Sequence, residues 1–176
     1  EEWAFSNDRI RHIDNKYFDI LWVSVEIMHR EVARWDQPII APFGVGVIAF
    51  IVKKISGVYH FLVQAEIECG NFDLYEFGPT VACVEKNHPA GSVRFLEYIL
   101  SARNDQIVYS ALQSEEGGRF YHEQNRNIIV EADESFSEVV PSNYKWMTLN
   151  QLLFFVKFNN LVNIGARSLL SGIRFE

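Results

Sequence analysis

Residues 45–67 read VGVIAFIVKKISGVYHFLVQAEI, two apolar runs rich in β-branched and aromatic residues that meet at Ser56-Gly57-Val58. Such runs broken by a glycine-containing turn predict a β-hairpin, with strands over 45–55 and 59–67. Side chains alternate across a strand, so His60, Leu62, Gln64, Glu66 and Glu68 share one face, and Tyr59, Phe61, Val63, Ala65 and Ile67 the other. The second set is core. The first either meets water along an edge strand or, if another element covers it, forms a chemical site.

Upstream of the hairpin, residues 17–27 predict a strand. Downstream, 74–77 and 80–85 predict short strands on either side of Gly78-Pro79, and 93–101 a helical stretch after the Pro89-Ala90-Gly91 break. Strands over 107–112 and 127–132 flank the Gly117-Gly118 turn. Thr148 can cap a helix over 149–158, and apolar residues recur at helical spacing over 162–171. Strands first and helices last imply an α/β (α+β) domain, a sheet with helices on its faces, rather than regular βαβ alternation. The chain has 176 residues, no internal repeat and no long linker, so a single module over 1–176 is expected.

Composition narrows the function. Apolar residues make up 48% and charged residues 22%, a balance that excludes a disordered or fibrous chain. The net charge of −7 repels a nucleic acid backbone. The apolar run from Pro42 to Val52 stops at Lys53-Lys54, short of the ~20 residues that span a bilayer, so no membrane partner is expected. Cys69 and Cys83 are too few for a disulfide scaffold and lack zinc-site spacing, which fits reduced thiols in the cytoplasm. The chain opens at Glu1 and its first methionine is Met28, so a segment is expected upstream.

Several chemistries have no motif. Gly44-Val45-Gly46 is a fragment of a dinucleotide fingerprint without its later glycines or acidic ribose ligand. No phosphate-binding loop or nucleophile elbow occurs, and the five histidines never pair at metal-ligand spacing, so no metal is expected. Carboxylates, amides, Tyr, His and Arg remain. They concentrate in 113–131, QSEEGGRFYHEQNRNIIVE, where two glycines permit a tight backbone and two arginines can pair with phosphate oxygens. On composition alone this is either a turn with ordinary ion pairs or a ligand site.

That string, followed by WMTLNQLLFFVKFNNLVNIGARSLLS at 146–171, resembles the NDP-hexose 2,3-dehydratase family. So do QPIIAPFGVGVIAF at 37–50, GVYHFLVQAEIECGN at 57–71 and GPTVAC at 78–83, which look like family blocks in the same order. The resemblance implies a Nudix-like mixed β-sheet flanked by helices. It also implies a lyase of deoxysugar biosynthesis that takes a nucleotide-linked 4-keto-6-deoxyhexose, usually the thymidine diphosphate (dTDP) ester. Such an enzyme removes the hydroxyl at carbon 2 and a proton from carbon 3, with no cofactor. Divalent-metal hydrolysis is not implied, because Arg30-Glu31, the only Arg-Glu pair, is followed by Arg34 and Trp35 where a Nudix signature has acids.

In that reading Glu115 and Glu68 are the base and acid, with His60 as the substitute for either. Arg119 and Arg126 offset the diphosphate charge, and Gln64, Asn71, Thr80, Gln113, Asn125 and Asn127 hold sugar hydroxyls, the thymine edge or neighbouring backbone. Arg167 is a phosphate partner or the mate of a surface acid. The chain departs from the family where Glu66 replaces a Lys, Cys69 a Pro, Glu123 and Gln124 basic residues, and Gly165-Ala166 an Asp-Thr pair. The departures at Glu66, Gly165 and Ala166 support an alternative, a non-catalytic nucleotide-sugar-binding or dimerisation module. Family chains commonly carry two tandem copies of the module, so the expected partner is a homodimer mate or a second module.

Overall fold

The computed structural model describes residues 2–173. Its amino-terminal part is an antiparallel meander in chain order: β1 (Trp3–Ser6), β2 (Arg9–His12), β3 (Phe18–Glu26) and β4 (Arg34–Pro42). Buried Asp19 on β3 pins β2 to it, accepting from Arg11 Nε at 2.8 Å and Arg9 Nη1 at 3.1 Å. Of these four strands only β3 is predicted by residue pattern. β4 hides because Pro38 and Pro42 interrupt it, which an edge strand tolerates.

The rest builds on the hairpin of β5 (Gly46–Ile55) and β6 (Val58–Glu66). The turn is tighter than predicted: Ser56 and Gly57 close it alone, at φ 50° and 82°, the left-handed pair that matches strand twist. Five further strands complete a seven-stranded mixed sheet: β7 (Glu76–Gly78), β8 (Val81–Cys83), β9 (Ile107–Ser114), β10 (Gln124–Glu131) and β11 (Tyr144–Thr148). The order is β11-β6-β5-β10-β9, with β7 on β6 and β8 on β5, and only β5 and β10 run parallel. The two sheets join where Ile40 N donates to Arg119 O at 2.9 Å and Tyr121 N to Ile40 O at 2.7 Å.

Both faces of the large sheet are buried. Ala49, Ile51, Leu62, Ile128 and Val130 pack beneath α1 (Leu96–Leu100) and its flanking segments. Phe50, Val52, Phe61, Val63 and Ile129 pack beneath α2 (Leu149–Val156) and α3 (Ile164–Ser171). Helices flanking a mixed sheet are the α+β arrangement expected from the order of elements. Thr148 caps α2 as expected, its Oγ1 accepting from Gln151 N at 3.3 Å. β6 is interior, between β5 and β11, so the solvated-edge reading of its polar face does not hold.

One core residue shapes the site. β5 and β6 are paired from Val52–Phe61 to the turn, then part, β5 taking β8 as its neighbour and β6 taking β7. Thr80, fully buried between β7 and β8, fills the wedge: its Oγ1 accepts from Ile51 N at 2.9 Å and donates to Leu62 O. The hydroxyl replaces the ladder bond that the divergence breaks.

Candidate active site

The parting of β5 and β6 leaves a cleft of about 480 Å³ on the α1 side of the sheet. Its polar lining includes Gln64 and Glu66 from β6, Cys83 from β8, His88 and Arg94 from the segment before α1, and Tyr144 from β11. Tyr144 Oη donates to Gln64 Oε1 at 3.0 Å. The Glu66 carboxyl lies over Gly78 on β7 and accepts from Asn163 Nδ2.

The electrostatics separate the two acids. Burial pushes the Glu66 carboxyl up to about 7, and the neighbouring charges of Glu68 and Glu76 add to the effect. Glu66 is therefore divided between its two protonation states near neutrality, the condition for taking and returning a proton. Burial, reinforced by Glu66, pushes the Tyr144 phenol up to about 12, with Arg94 opposing. Tyr144 is thus a neutral hydrogen-bond donor at neutral pH.

The structure places only part of the sequence-derived set here. Gln64 is in the cleft. Glu68 is exposed just beyond β6 and acts on Glu66 through its charge, and the backbone N–H of Asn71 donates to Glu68 O at 3.2 Å. His60 sits at the other end of β6, roughly 20 Å along the strand from Glu66, with Nδ1 2.9 Å from Val58 O. Thr80 requires correction: it has no exposed surface and its hydroxyl serves the backbone, so it holds the cleft open from inside the core.

A second polar group lies on the opposite face. Asn125 Nδ2 donates to Glu115 Oε1 at 2.7 Å, Gln113 Nε2 to Tyr109 Oη at 3.0 Å and Asn127 Nδ2 to Asn125 O at 3.3 Å. Asn125 fits there because Gly46 on β5 lacks a Cβ, which would stand 2.0 Å from Asn125 Oδ1. Beside it, burial and then the charge of Glu115 raise Glu123. Glu115 follows β9, three strands from β6 and roughly 14 Å across the sheet. Arg126 alternates to the other face and donates to Ser110 Oγ at 3.4 Å, while Arg119 pairs with Glu116 at 3.2 Å in the turn. Arg167 is exposed on α3, its Nε 3.4 Å from Asn163 O. Glu68, Glu115 and Arg126 therefore share no cleft.

A hollow of about 540 Å³ at the far end of the sheet is a weaker candidate because its Lys53 and Arg103 are already engaged. Lys53 donates to Glu134 O at 3.3 Å and to Phe136 O, and Arg103 pairs with Asp105 at 3.1 Å. Sequence reasoning missed Glu66, His88, Arg94 and Tyr144 as site residues. Glu66 carried a signal, its place beside Gln64 on β6; the others come from segments with no periodicity. Among the described residues no three His, Cys, Asp or Glu side chains are grouped to hold a metal, and no helix is long and apolar enough to cross a membrane.

A family model for NDP-hexose 2,3-dehydratase matches residues 1–173. Proteins named dTDP-4-dehydro-6-deoxy-alpha-D-glucopyranose 2,3-dehydratase from Streptomyces violaceoruber and Saccharopolyspora spinosa are 45% and 41% identical over 98% of this chain. The match covers 40% and 36% of those proteins, so the chain spans about two fifths of the length of the curated relatives it matches. Among solved structures, an ADP compounds hydrolase is similar at 14% identity and a TM-score of 0.49, over 97% of this chain and 87% of that one.

Proposed function

The chain belongs to the NDP-hexose 2,3-dehydratase family, and from that premise we propose that the Glu66 cleft eliminates water across carbons 2 and 3 of a dTDP-linked 4-keto-6-deoxyhexose. The ketone at carbon 4 acidifies the proton on carbon 3. Glu66 in its ionised form takes that proton, and the C–H electron pair becomes the carbon 3–carbon 4 double bond of an enolate. The enolate re-forms the ketone, moves the double bond to carbons 2 and 3 and expels the carbon 2 hydroxyl. Glu66, now protonated and open to exchange with solvent, gives a proton to that leaving group, so water departs and no net charge is left. The Tyr144 phenol turns its one hydrogen from Gln64 Oε1 to the enolate oxygen as charge develops there, and Arg94 meets the diphosphate that the chain's net charge of −7 otherwise repels.

The observation that carries this reading is a carboxyl group held near pH 7 in a cleft that also contains a neutral phenol and an arginine. The experiment is turnover of the dTDP 4-keto-6-deoxy sugar with a reductant to trap the product. Glu66→Gln is expected to cut the rate by at least about a hundredfold with nucleotide affinity retained. A second reading, a non-catalytic nucleotide-sugar-binding module, is favoured by the separation of Glu68, Glu115 and Arg126. Nucleotide binding by the wild type without any product identifies it.

In the same reading residues 1–176 act as one cytoplasmic module beside a second one, in a homodimer or in tandem. Exposed Phe72 and Leu74 in the loop after β6, and Phe154 and Phe158 at α2, supply apolar surface for that pairing. Sedimentation equilibrium tests it: a monomer at micromolar concentration counts against the homodimer.

A further inference from the structure

The Glu66 carboxyl is held from behind by a residue near the other end of the chain. Asn163 is 97 residues away and is brought alongside β7 by two backbone bonds, Phe77 N to Leu161 O at 2.8 Å and Asn163 N to Phe77 O at 3.0 Å. Its side chain serves two partners. Oδ1 accepts from Ala166 N at 2.8 Å and closes the first turn of α3, while Nδ2 donates to Glu66 Oε2. The two bonds fix the orientation of the amide. Turned over, it would aim a donor at the Ala166 N–H and an acceptor at a carboxylate oxygen, losing both bonds at once.

Gly78 forms the opposite wall. A Cβ there would stand 2.0 Å from Glu66 Oε2 and 3.0 Å from Asn163 Nδ2, so all three groups meet only because position 78 has no side chain. We infer that Asn163 is a positioning residue: it caps α3 with its oxygen and with its nitrogen pins Glu66 Oε2 against Gly78, leaving Oε1 as the oxygen that meets the sugar. The inference rests on the Glu66 assignment above and adds which oxygen exchanges the proton. With Oε2 accepting from an amide, the proton resides on Oε1.

The other charged or titratable groups around Glu66 do not replace that donor. Glu68 from the following loop and Glu76 from β7 are like charges. Tyr144 from β11 donates its hydrogen bond to Gln64 Oε1, and Cys83, His88 and Arg94 line the cleft from β8 and the segment before α1. The Asn163 amide favours the ionised carboxylate, so removing it moves the Glu66 titration upward.

Asn163→Ser separates the two roles, because a serine retains a capping oxygen and has no Nδ2. The test is a side-chain carbon NMR titration of Glu66 in the ligand-free full chain, run beside the pH profile of dehydratase turnover. The expected result is a Glu66 midpoint about one pH unit higher in Asn163→Ser, with the thermal midpoint held within a few degrees. Asn163→Asp, which also keeps the cap but adds a like charge, moves the Glu66 midpoint further still and serves if the serine variant does not fold. An unmoved Glu66 midpoint in the cap-retaining variant overturns the inference. A moved midpoint with an unmoved activity profile upholds the Asn163 hold and counts instead against placing the chemistry at Glu66.

Discussion

A methyl group on Gly78 would stand 2.0 Å from Glu66 Oε2, far inside contact distance, so the carboxyl occupies the volume that the glycine leaves. Gly78→Ala should therefore displace Glu66 while leaving the strand intact. We expect turnover to fall at least about tenfold, a loss of positioning, with an unchanged far-ultraviolet circular dichroism spectrum. Full activity in a folded Gly78→Ala protein would show that the Glu66 pose is not needed.

Glu66 should also weaken the fold that holds it. Its pKa is raised from 4.5 unfolded to about 7 folded, so between those values the native state binds more protons than the unfolded chain. Stability consequently falls as pH rises through that window, by on the order of 3 kcal/mol, and stays low above it. Glu66→Gln should remove this slope and be the more stable protein at pH 8, although inactive. Urea unfolding at pH 5 and pH 8 measures it; parallel losses in both proteins would contradict the burial argument.

The wedge at Thr80 makes a separate prediction. Thr80→Val keeps the shape but leaves Ile51 N–H and Leu62 C=O without the hydroxyl that serves them. The expected loss is about 3 kcal/mol in urea unfolding. A loss no larger than that of an exposed Thr→Val substitution would mean that water can enter the wedge and satisfy both groups.

The amino-terminal sheet should fail on the acid side. Hydrogen bonds from Arg11, and with them those from Arg9, hold the Asp19 carboxyl below its ordinary value. Its contribution is present above the unfolded carboxylate value, ~3.9, and is lost as pH falls through the folded one. Asp19→Asn should lower the thermal midpoint at pH 7 and flatten its fall between pH 5 and pH 2. A variant as acid-sensitive as the wild type would assign that sensitivity elsewhere.

The central hairpin was legible because 45–67 is locally consistent, its runs, turn and alternation all agreeing. The Thr148 cap was legible for the same reason, since its partner Gln151 is three residues away. The cleft was not, because it depends on bonds between distant positions: Thr80 reaches Leu62 and Ile51 across 18 and 29 residues, and Asn163 reaches Glu66 across 97. β11 was missed in a short segment leading into a helix, yet it carries Tyr144, and it makes β6 interior. Glu66 stood out in the sequence through its place on the polar face beside Gln64 and as an acid where the family has a Lys. Its meaning depends on burial and on Glu68 and Glu76, which residue order alone does not supply.

The most direct measurement is exchange at carbon 3 of the dTDP 4-keto-6-deoxy sugar, followed by NMR or mass in deuterated water with the full chain. Proton removal by Glu66 predicts deuterium uptake by the wild type and a rate at least about a hundredfold lower in Glu66→Gln, with thymidine diphosphate bound equally well by both. Equal uptake in the two proteins would contradict it.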